Sequence, residues 1–255
     1  MTEISPDRLR LDACLVDRGL MQTRSRARDA IQRGHVRVDG KVETKASLAV
    51  DMNVAISVDD PAQAYVSRAA LKLKAGLDRF GVDPHGRSAL DIGASTGGFT
   101  QLLIERGASH VVAVDVGHGQ MNPAIAADSR VTSIEGLNAR EMTRDDIGGR
   151  AFDLLVADVS FISLMLALPP ALELAEPGTE AVFLVKPQFE AGREAIGKGG
   201  LLRDPATAEA VAGRVRDWLH EQPGWQALDL IDSPITGGDG NREFLLHGRK
   251  ASPCV

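Results

Sequence analysis

The sequence predicts an α/β protein. A doubly wound, mostly parallel sheet that ends in an antiparallel strand is preceded by a small, basic α+β module. Three observations carry that prediction. From residue 67 onward, apolar runs of strand length alternate with segments of helical period, as in a parallel sheet covered on both faces. In "LDIGASTGGFTQLL", residues 90–103, a strand-like run stops at an acid, small residues crowd a turn, and an apolar helix pattern takes over. Charge is unevenly divided. Eight basic residues face three acids between Arg18 and Lys45, whereas 19 basic residues face 28 acids from residue 46 on, in a chain of net charge −6. A basic module (1–60), a linker (61–66) and an acidic body (67–255) follow from this.

In the module, "RLRLDACLVDRGL" sets Leu11, Leu15 and Val16 at helical spacing and stops at Gly19. "TRSRARDAIQRG" is a second helix, with Thr23 or Ser25 as cap, Ala27, Ala30 and Ile31 as apolar face and Gly34 as stop. "HVRVDGKV" alternates and turns at Asp39-Gly40, a hairpin signal, and "DMNVAIS" is a further short strand. "DDPAQAYV" reads as linker. In the body, "SRAALKLKAGLDRFG" is a helix capped by Ser67. Strands follow at "SALDIGA", "HVVAVDVG", "VTSIEG", "FDLLVADVS" and "AVFLVKP". Helices lie at "FTQLLIERG", "MNPAIAAD", "FISLMLALPPALELA" and "PATAEAVAGRVRDWLHEQ", and "WQALDLIDSP" and "REFLLHGRK" close the chain as an antiparallel hairpin.

At 255 residues, 44% hydrophobic and 25% charged, the chain has the make-up of an ordinary soluble protein. No apolar run reaches a bilayer span, and "MTEISPDRLRLDACL" lacks the apolar core of a signal peptide. A cytoplasmic protein without a membrane partner is expected. Cys14 and Cys254 make no CxxC and no metal spacing, so no metal is expected.

The glycine-rich turn narrows the ligand. A dinucleotide fingerprint needs G-x-G-x-x-G, but Ala94 and Ser95 follow Gly93. A P-loop needs Lys-Ser or Lys-Thr after the turn, and neither is there. What remains is D-x-G-x-x-x-G-G opening a helix, with a second strand that ends in Asp115. An acid there suits a ribose with free hydroxyls, and Asp91 stands where it can reach backbone N–H groups or an ammonium. An adenosyl group with a charged amino-acid tail and no phosphate fits better than NAD. S-adenosylmethionine is therefore the expected cofactor, and a tight turn without ligand the alternative.

"LDIGASTGGFTQLLIERGASHVVAVDVGHGQ", "VADVSFISL" and "LVKPQFEAGR" resemble the TlyA (hemolysin A) family of ribosomal RNA 2'-O-methyltransferases. "LRLDACLVDRGLMQTRSRARDAIQRGHVRVDGKV" resembles the S-four-like RNA-binding domain that this family carries. The resemblance implies a Rossmann-like, S-adenosylmethionine-dependent methyltransferase of the FtsJ type. It also implies cytidine ribose in the RNA of ribosomal subunits as substrate, with a monomer expected. FtsJ-type catalysis uses a Lys-Asp-Lys-Glu tetrad, which falls on Lys72, Asp158, Lys186 and Glu243; Lys74 is the rival for the first position. Independently of the family, Asp158 and Lys186 end consecutive strands, and such ends face the ligand crevice of an open sheet. The chemistry asks for these residue types. A ribose hydroxyl is a poor nucleophile until a base takes its proton, and a lysine amine serves if burial or a nearby cation lowers its pKa. Solvated surface ion pairs are the bland alternative.

Further cofactor contacts are expected from Ser95, Thr96, Gly97 and Gly98 in the turn. Phe99 either touches the cofactor or packs in the core. Asn138 either bonds the adenine amino group or caps a loop. Phe161 either stacks on a nucleobase drawn from its helix or is a buried aromatic at a helix start. Residues 188–204 form a long loop that reads as a lid, or as an ordinary surface loop. Phosphate contacts are expected from Arg18, Arg24, Arg26, Arg28, Arg33, Arg37 and Lys41, and the bland alternative is a solvated face. Two other functions compete: an assembly factor that binds RNA without catalysis, and a membrane-lytic protein, for which no spanning or strongly amphipathic segment speaks.

Overall fold

The structure, a computed structural model, describes residues 8–238 and 240–252. It divides into two compact units, with the boundary between Ala64 and Tyr65.

The first unit runs β1 (Arg8–Arg10), α1 (Leu11–Asp17), α2 (Arg24–Gln32), β2 (Val36–Val38), β3 (Lys41–Val42), β4 (Ala49–Asp51) and β5 (Ile56–Val58). Helix α2 begins where expected, because Thr23 Oγ1 accepts the Arg26 N–H at 3.3 Å. The hairpin turns at Asp39 (φ +48°) and Gly40 (φ +76°), pairing Val38 with Lys41. Leu11, Leu15, Ala27, Ala30 and Ile31 pack with Val36 and Val50 into one core, which also holds the Cys14 thiol. Cys254 lies outside the described residues. Two expectations change. Arg8–Arg10, read as helix, is a strand paired with β4. "DMNVAIS" is not one strand, because Asp51 Oδ1 accepts the Asn53 N–H at 3.0 Å and turns the chain. The halves then join different sheets, β4 with β1 and β5 with β2. Part of the expected linker is also folded: Pro61–Ala64 is a 3-10 turn, and Arg26 Nη2 donates to the Ala62 carbonyl at 2.7 Å.

The second unit runs α3 (Ala69–Phe80), β6 (Ser88–Ile92), α4 (Gly98–Glu105), β7 (His110–Asp115), α5 (Pro123–Ala126), β8 (Val131–Glu135) and β9 (Leu154–Ala157). It continues with α6 (Leu164–Ala167), α7 (Pro169–Leu174), β10 (Glu180–Val185), α8 (Pro187–Glu190), α9 (Ala208–Glu221), β11 (Trp225–Asp232) and β12 (Phe244–Lys250). One seven-stranded sheet has the order β11-β12-β10-β9-β6-β7-β8. Strands β6–β10 are parallel, and β12 runs antiparallel between β10 and β11. Strand residues alternate between two cores. Leu90, Val112, Leu155 and Phe183 pack with α6, α7 and α9, while Ala89, Val111, Val156 and Val182 pack with α3 and α4.

Three local features position the site. A Cβ on Gly76 would lie 3.0 Å from Val182 Cγ1, so α3 sits tight on β10, and Lys72, one turn earlier, shares that face. The segment expected as one helix over 161–175 is two, α6 and α7, divided at Pro169-Pro170. The loop beyond α8 is anchored rather than a free lid: Leu202 is in the core and pairs with Ile196, and Asn241 Nδ2 donates to the Gly200 carbonyl at 2.9 Å. Among the described residues, no helix is long and apolar enough to cross a membrane.

Candidate active site

The turn after β6 is shaped by what surrounds it. Gly93 has φ +82°, and a Cβ there would lie 2.7 Å from the Asp158 carbonyl oxygen. Only glycine lets the ends of β6 and β9 approach this closely. A cavity of about 550 Å³ opens over the ends of β6, β7 and β9. Ile92, Val114, Val116, Leu137 and Ile162 give it apolar walls, and Ser95, Asp115, Asn138 and Asp158 give it polar groups. A smaller cavity of about 130 Å³ shares Gly93, Ser95, Asp158 and Ser160 with it and adds Thr96, Gly98, Phe99 and Lys186. Apolar walls suit an adenine, the carboxylate a ribose, and the narrow polar end a charged amino-acid tail, so the residues present fit S-adenosylmethionine.

Asp115 does double duty. Oδ2 accepts the Ser95 N–H at 2.8 Å and Oδ1 the Gly117 N–H at 2.7 Å. Each oxygen keeps a further lone pair toward the cavity. Two residues not anticipated from sequence complete this edge. Gln120 Oε1 accepts the Ser95 hydroxyl at 2.9 Å. Glu135 gathers the N–H groups of Gly119, Gln120 and Met121, which hold its carboxyl below the usual range. The signal for Glu135 was present: it ends β8 as Asp115 ends β7. Asn138 caps a turn, its Oδ1 accepting the Arg140 N–H at 3.2 Å, and it also lines the large cavity.

Some expected contacts lie elsewhere. Asp91 is fully buried beneath the turn and lines neither cavity. Its Oδ2 accepts the Thr100 hydroxyl at 2.6 Å, and Oδ1 has no hydrogen-bond partner. Burial, with repulsion from Asp158 and Asp115, raises its carboxyl to about 7. Gly97 lies against Met121, and Phe99 belongs to the core while its edge reaches the small cavity.

The four tetrad positions form two lysine–acid pairs, one buried and one partly buried. Lys72 Nζ donates to Glu243 Oε2, joining α3 to the start of β12. Lys74 instead pairs with Asp78 at 2.8 Å on the exposed side of α3, away from Glu243. Lys186, directly after β10, places Nζ 2.7 Å from Asp158 Oδ1, an ion pair off the hydrogen-bonding axis. It also donates to Ser160 Oγ at 2.7 Å. Sequence reading missed Ser160. Phe161 is not a buried aromatic: it is 92% exposed at φ +66°, lines the large cavity, and tilts against Phe189 at 5.2 Å between ring centroids.

The basic residues of the first unit divide into three kinds. Arg33 and Arg18 are structural, which corrects their reading as phosphate contacts. Arg33 pairs with Asp29 at 2.9 Å and buried Asp60 at 2.7 Å, and Arg18 donates to the carbonyls of Val54 and Met52. Arg10, Arg24 and Arg28 gather on Asp12, a fully buried carboxylate that sequence reading passed over. Burial pushes the Asp12 carboxyl up, and hydrogen bonds from Arg10, Arg28 and Arg24 outweigh it and hold the group well below the carboxylate range. Arg26 donates to Gln22 and Ala62. Among the described residues, Arg37 reaches only the Gly40 carbonyl of its own hairpin, at 3.3 Å, and Lys41 is exposed. Among the described residues, no group of three or more His, Cys, Asp or Glu is placed to hold a metal.

The second unit has the architecture of S-adenosylmethionine-dependent methyltransferases. One from Mesorhizobium loti superposes with a TM-score of 0.51 at 17% identity, over 70% of this chain and 97% of that one, a likeness of fold alone. A family model described as FtsJ-like methyltransferase matches residues 65–250, and one described as S4 domain matches residues 9–56. A solved structure from Streptococcus thermophilus that carries the hemolysin name superposes with a TM-score of 0.71 at 37% identity, over 98% of this chain and 91% of that one. The 16S/23S rRNA (cytidine-2'-O)-methyltransferase TlyA of Mycobacterium tuberculosis is 45% identical over 244 residues, 94% of this chain and 89% of the relative. The chain belongs to the TlyA family of FtsJ-like, S-adenosylmethionine-dependent methyltransferases.

Proposed function

We propose that this chain transfers a methyl group from S-adenosylmethionine to the ribose 2'-oxygen of a cytidine in ribosomal RNA. It does so within ribosomal subunits, in the cytoplasm, as a monomer and without a metal. The observation that carries the reading is Lys186, held by Asp158 and Ser160 where the two cavities meet. The name of the Mycobacterium tuberculosis relative supports the substrate.

When bound, S-adenosylmethionine supplies an electrophilic methyl group and a neutral thioether leaving group. Asp115 holds the cofactor ribose, Asn138 and the apolar walls hold its adenine, and Gly93, Ser95, Thr96 and Gly98 border its amino-acid tail. Lys186, once its ammonium has released a proton to solvent, takes the 2'-hydroxyl proton. Asp158 then stabilises the ammonium so formed, and Ser160 fixes its direction. The Lys72–Glu243 pair orients the ribose from the α3 side. Phe161 offers its exposed face to the target base. The module of residues 1–60, joined through 61–66 to the catalytic 67–255, grips RNA. Arg24, Arg26, Arg28, Arg37 and Lys41 meet phosphates there, Arg24 and Arg28 pre-set by Asp12.

Mass mapping of ribosomal RNA from cells with and without the protein tests this reading. A cytidine heavier by one ribose methyl group only when the protein is present is expected, alongside cofactor binding measured by calorimetry. Unchanged masses in both subunits would overturn it.

A further inference from the structure

Glu190 is a buried carboxylate that the chemistry above does not use. It ends α8, the single helical turn that follows Lys186. Both of its oxygens serve another segment. Oε1 accepts the Leu164 N–H at 2.8 Å, and Oε2 accepts the Ser163 hydroxyl at 2.5 Å. Ser163 Oγ already caps α6 by accepting the Met165 N–H at 3.1 Å. Glu190 thus holds the capping group itself, more than a one-turn helix needs. A buried acid is costly unless its oxygens are satisfied, and here satisfaction comes only while the two segments stay in register.

The same segments meet at three further points: Lys186 with Asp158, Lys186 with Ser160, and Phe189 with Phe161. Between them Phe161 is exposed in the left-handed region, a costly conformation for a non-glycine residue that persists only when its surroundings impose it. The Glu190 contacts sit two and three residues beyond Phe161, on the far side of that strained position from Asp158.

We propose that Glu190 is a positioning residue, a latch that fixes the 158–164 loop on the 186–190 segment. It sets Phe161 and the Lys186–Asp158–Ser160 group in one register for the incoming nucleoside. The proposal rests on the reading of Lys186 as the base.

The test uses the full chain with ribosomal subunits as substrate. Single-turnover methyl transfer, cofactor affinity and thermal unfolding are measured for wild type, Glu190→Ala, Glu190→Gln, Ser163→Ala and Lys186→Ala. Glu190→Ala should slow the single-turnover rate about 10²-fold, the size of loss that a misplacement of about 1 Å produces, with a much smaller loss of cofactor affinity, since Ile162 of the same loop lines the large cavity. Glu190→Gln keeps an acceptor for Leu164 and a polar partner for Ser163, so it should stay within about threefold of wild type. Ser163→Ala removes one contact and should fall between them, and adding it to Glu190→Ala should cost nothing more. Wild-type speed in Glu190→Ala overturns the latch. So does a Glu190→Gln variant as slow as Glu190→Ala, or a loss of cofactor affinity as large as the loss of rate. If Glu190→Ala does not fold, a folded Ser163→Ala variant at wild-type rate overturns it. An active Lys186→Ala variant removes the base and the latch with it. Inactive Lys186→Ala beside fully active Glu190→Ala removes the latch alone.

Discussion

The two units pair cations with acids in opposite ways. In the first, Asp12 is fully buried while the arginines on it remain 43–51% exposed. In the second, Lys186 and Asp158 are only 11% and 16% exposed, and Lys72 and Glu243 7% and 3%. The first arrangement uses an inward acid to pre-set outward cations, whose remaining N–H groups meet whatever approaches from solvent. The second withdraws both partners from bulk water, and Lys186 and Asp158 line the small cavity, where their charges act on what enters it. Exposure, more than residue type, separates the two arrangements. Arg33 sharpens the contrast: it lies in the basic unit, yet its side chain is 14% exposed and serves Asp29 and Asp60.

The largest expected effect comes from breaking that exception. Arg33→Ala strands the buried Asp60 carboxylate and should destabilise the first unit by about 3–5 kcal/mol in denaturant unfolding. The salt dependence of RNA binding by the folded protein should not move. A stable Arg33→Ala variant that loses one unit of salt slope would make Arg33 a phosphate contact after all. Next in size is Asp115→Ala, expected to weaken S-adenosylmethionine binding by about 1.5–3 kcal/mol. Part of that loss comes from freeing Ser95 and Gly117, so Asp115→Asn, which keeps one acceptor oxygen, should lose less by calorimetry. Equal affinities for wild type and Asp115→Ala would release that acid from the cofactor site.

A smaller effect belongs to the outward cations. Arg37→Ala with Lys41→Ala should change stability by no more than about 0.5 kcal/mol. It should flatten the salt dependence of RNA binding by about one unit for each phosphate left without its cation, read by filter binding. A wild-type slope would leave the hairpin out of RNA recognition. A pH-dependent effect concerns Asp91. Its folded value, about 7, lies above that of an unfolded carboxyl. Its contribution to stability is therefore complete below the unfolded value and is lost as pH rises through about 7. Asp91→Asn cannot titrate, so its stability relative to wild type should improve between pH 5 and pH 8. Parallel unfolding curves at both pH values would contradict the raised value.

The sheet was legible because its strands repeat apolar runs between helix-period segments, and the crevice because acids and lysines end those strands. Asp115, Asp158, Lys186 and Glu243 needed no three-dimensional information to be singled out. Charge counting does not see burial, which is why Arg33 and Arg18 read like Arg37 and Lys41. It also passes over Asp12, one acid among many, whose role arises only when α1 and α2 pack. Phe161 reads either as a base-stacking ring or as a buried aromatic, and local composition does not choose; its backbone angle turns it outward. Glu190, Ser160 and Gln120 act through partners 20 or more residues away, beyond the reach of periodicity.

The place of β12 has a further consequence, in the order of folding. The cofactor turn closes early, since Asp115 reaches Ser95 across 20 residues, whereas Lys72 meets Glu243 across 171. Strand β12 wedges between β10 and β11, so β11 cannot join the sheet until β12 has arrived. Distant closures of this kind carry a larger entropic penalty and slow the search for the native state. A chain caught before that step holds a formed cofactor crevice, an unpaired β10 edge and half a tetrad. Its bare strand edge is expected to make it the species most prone to aggregate.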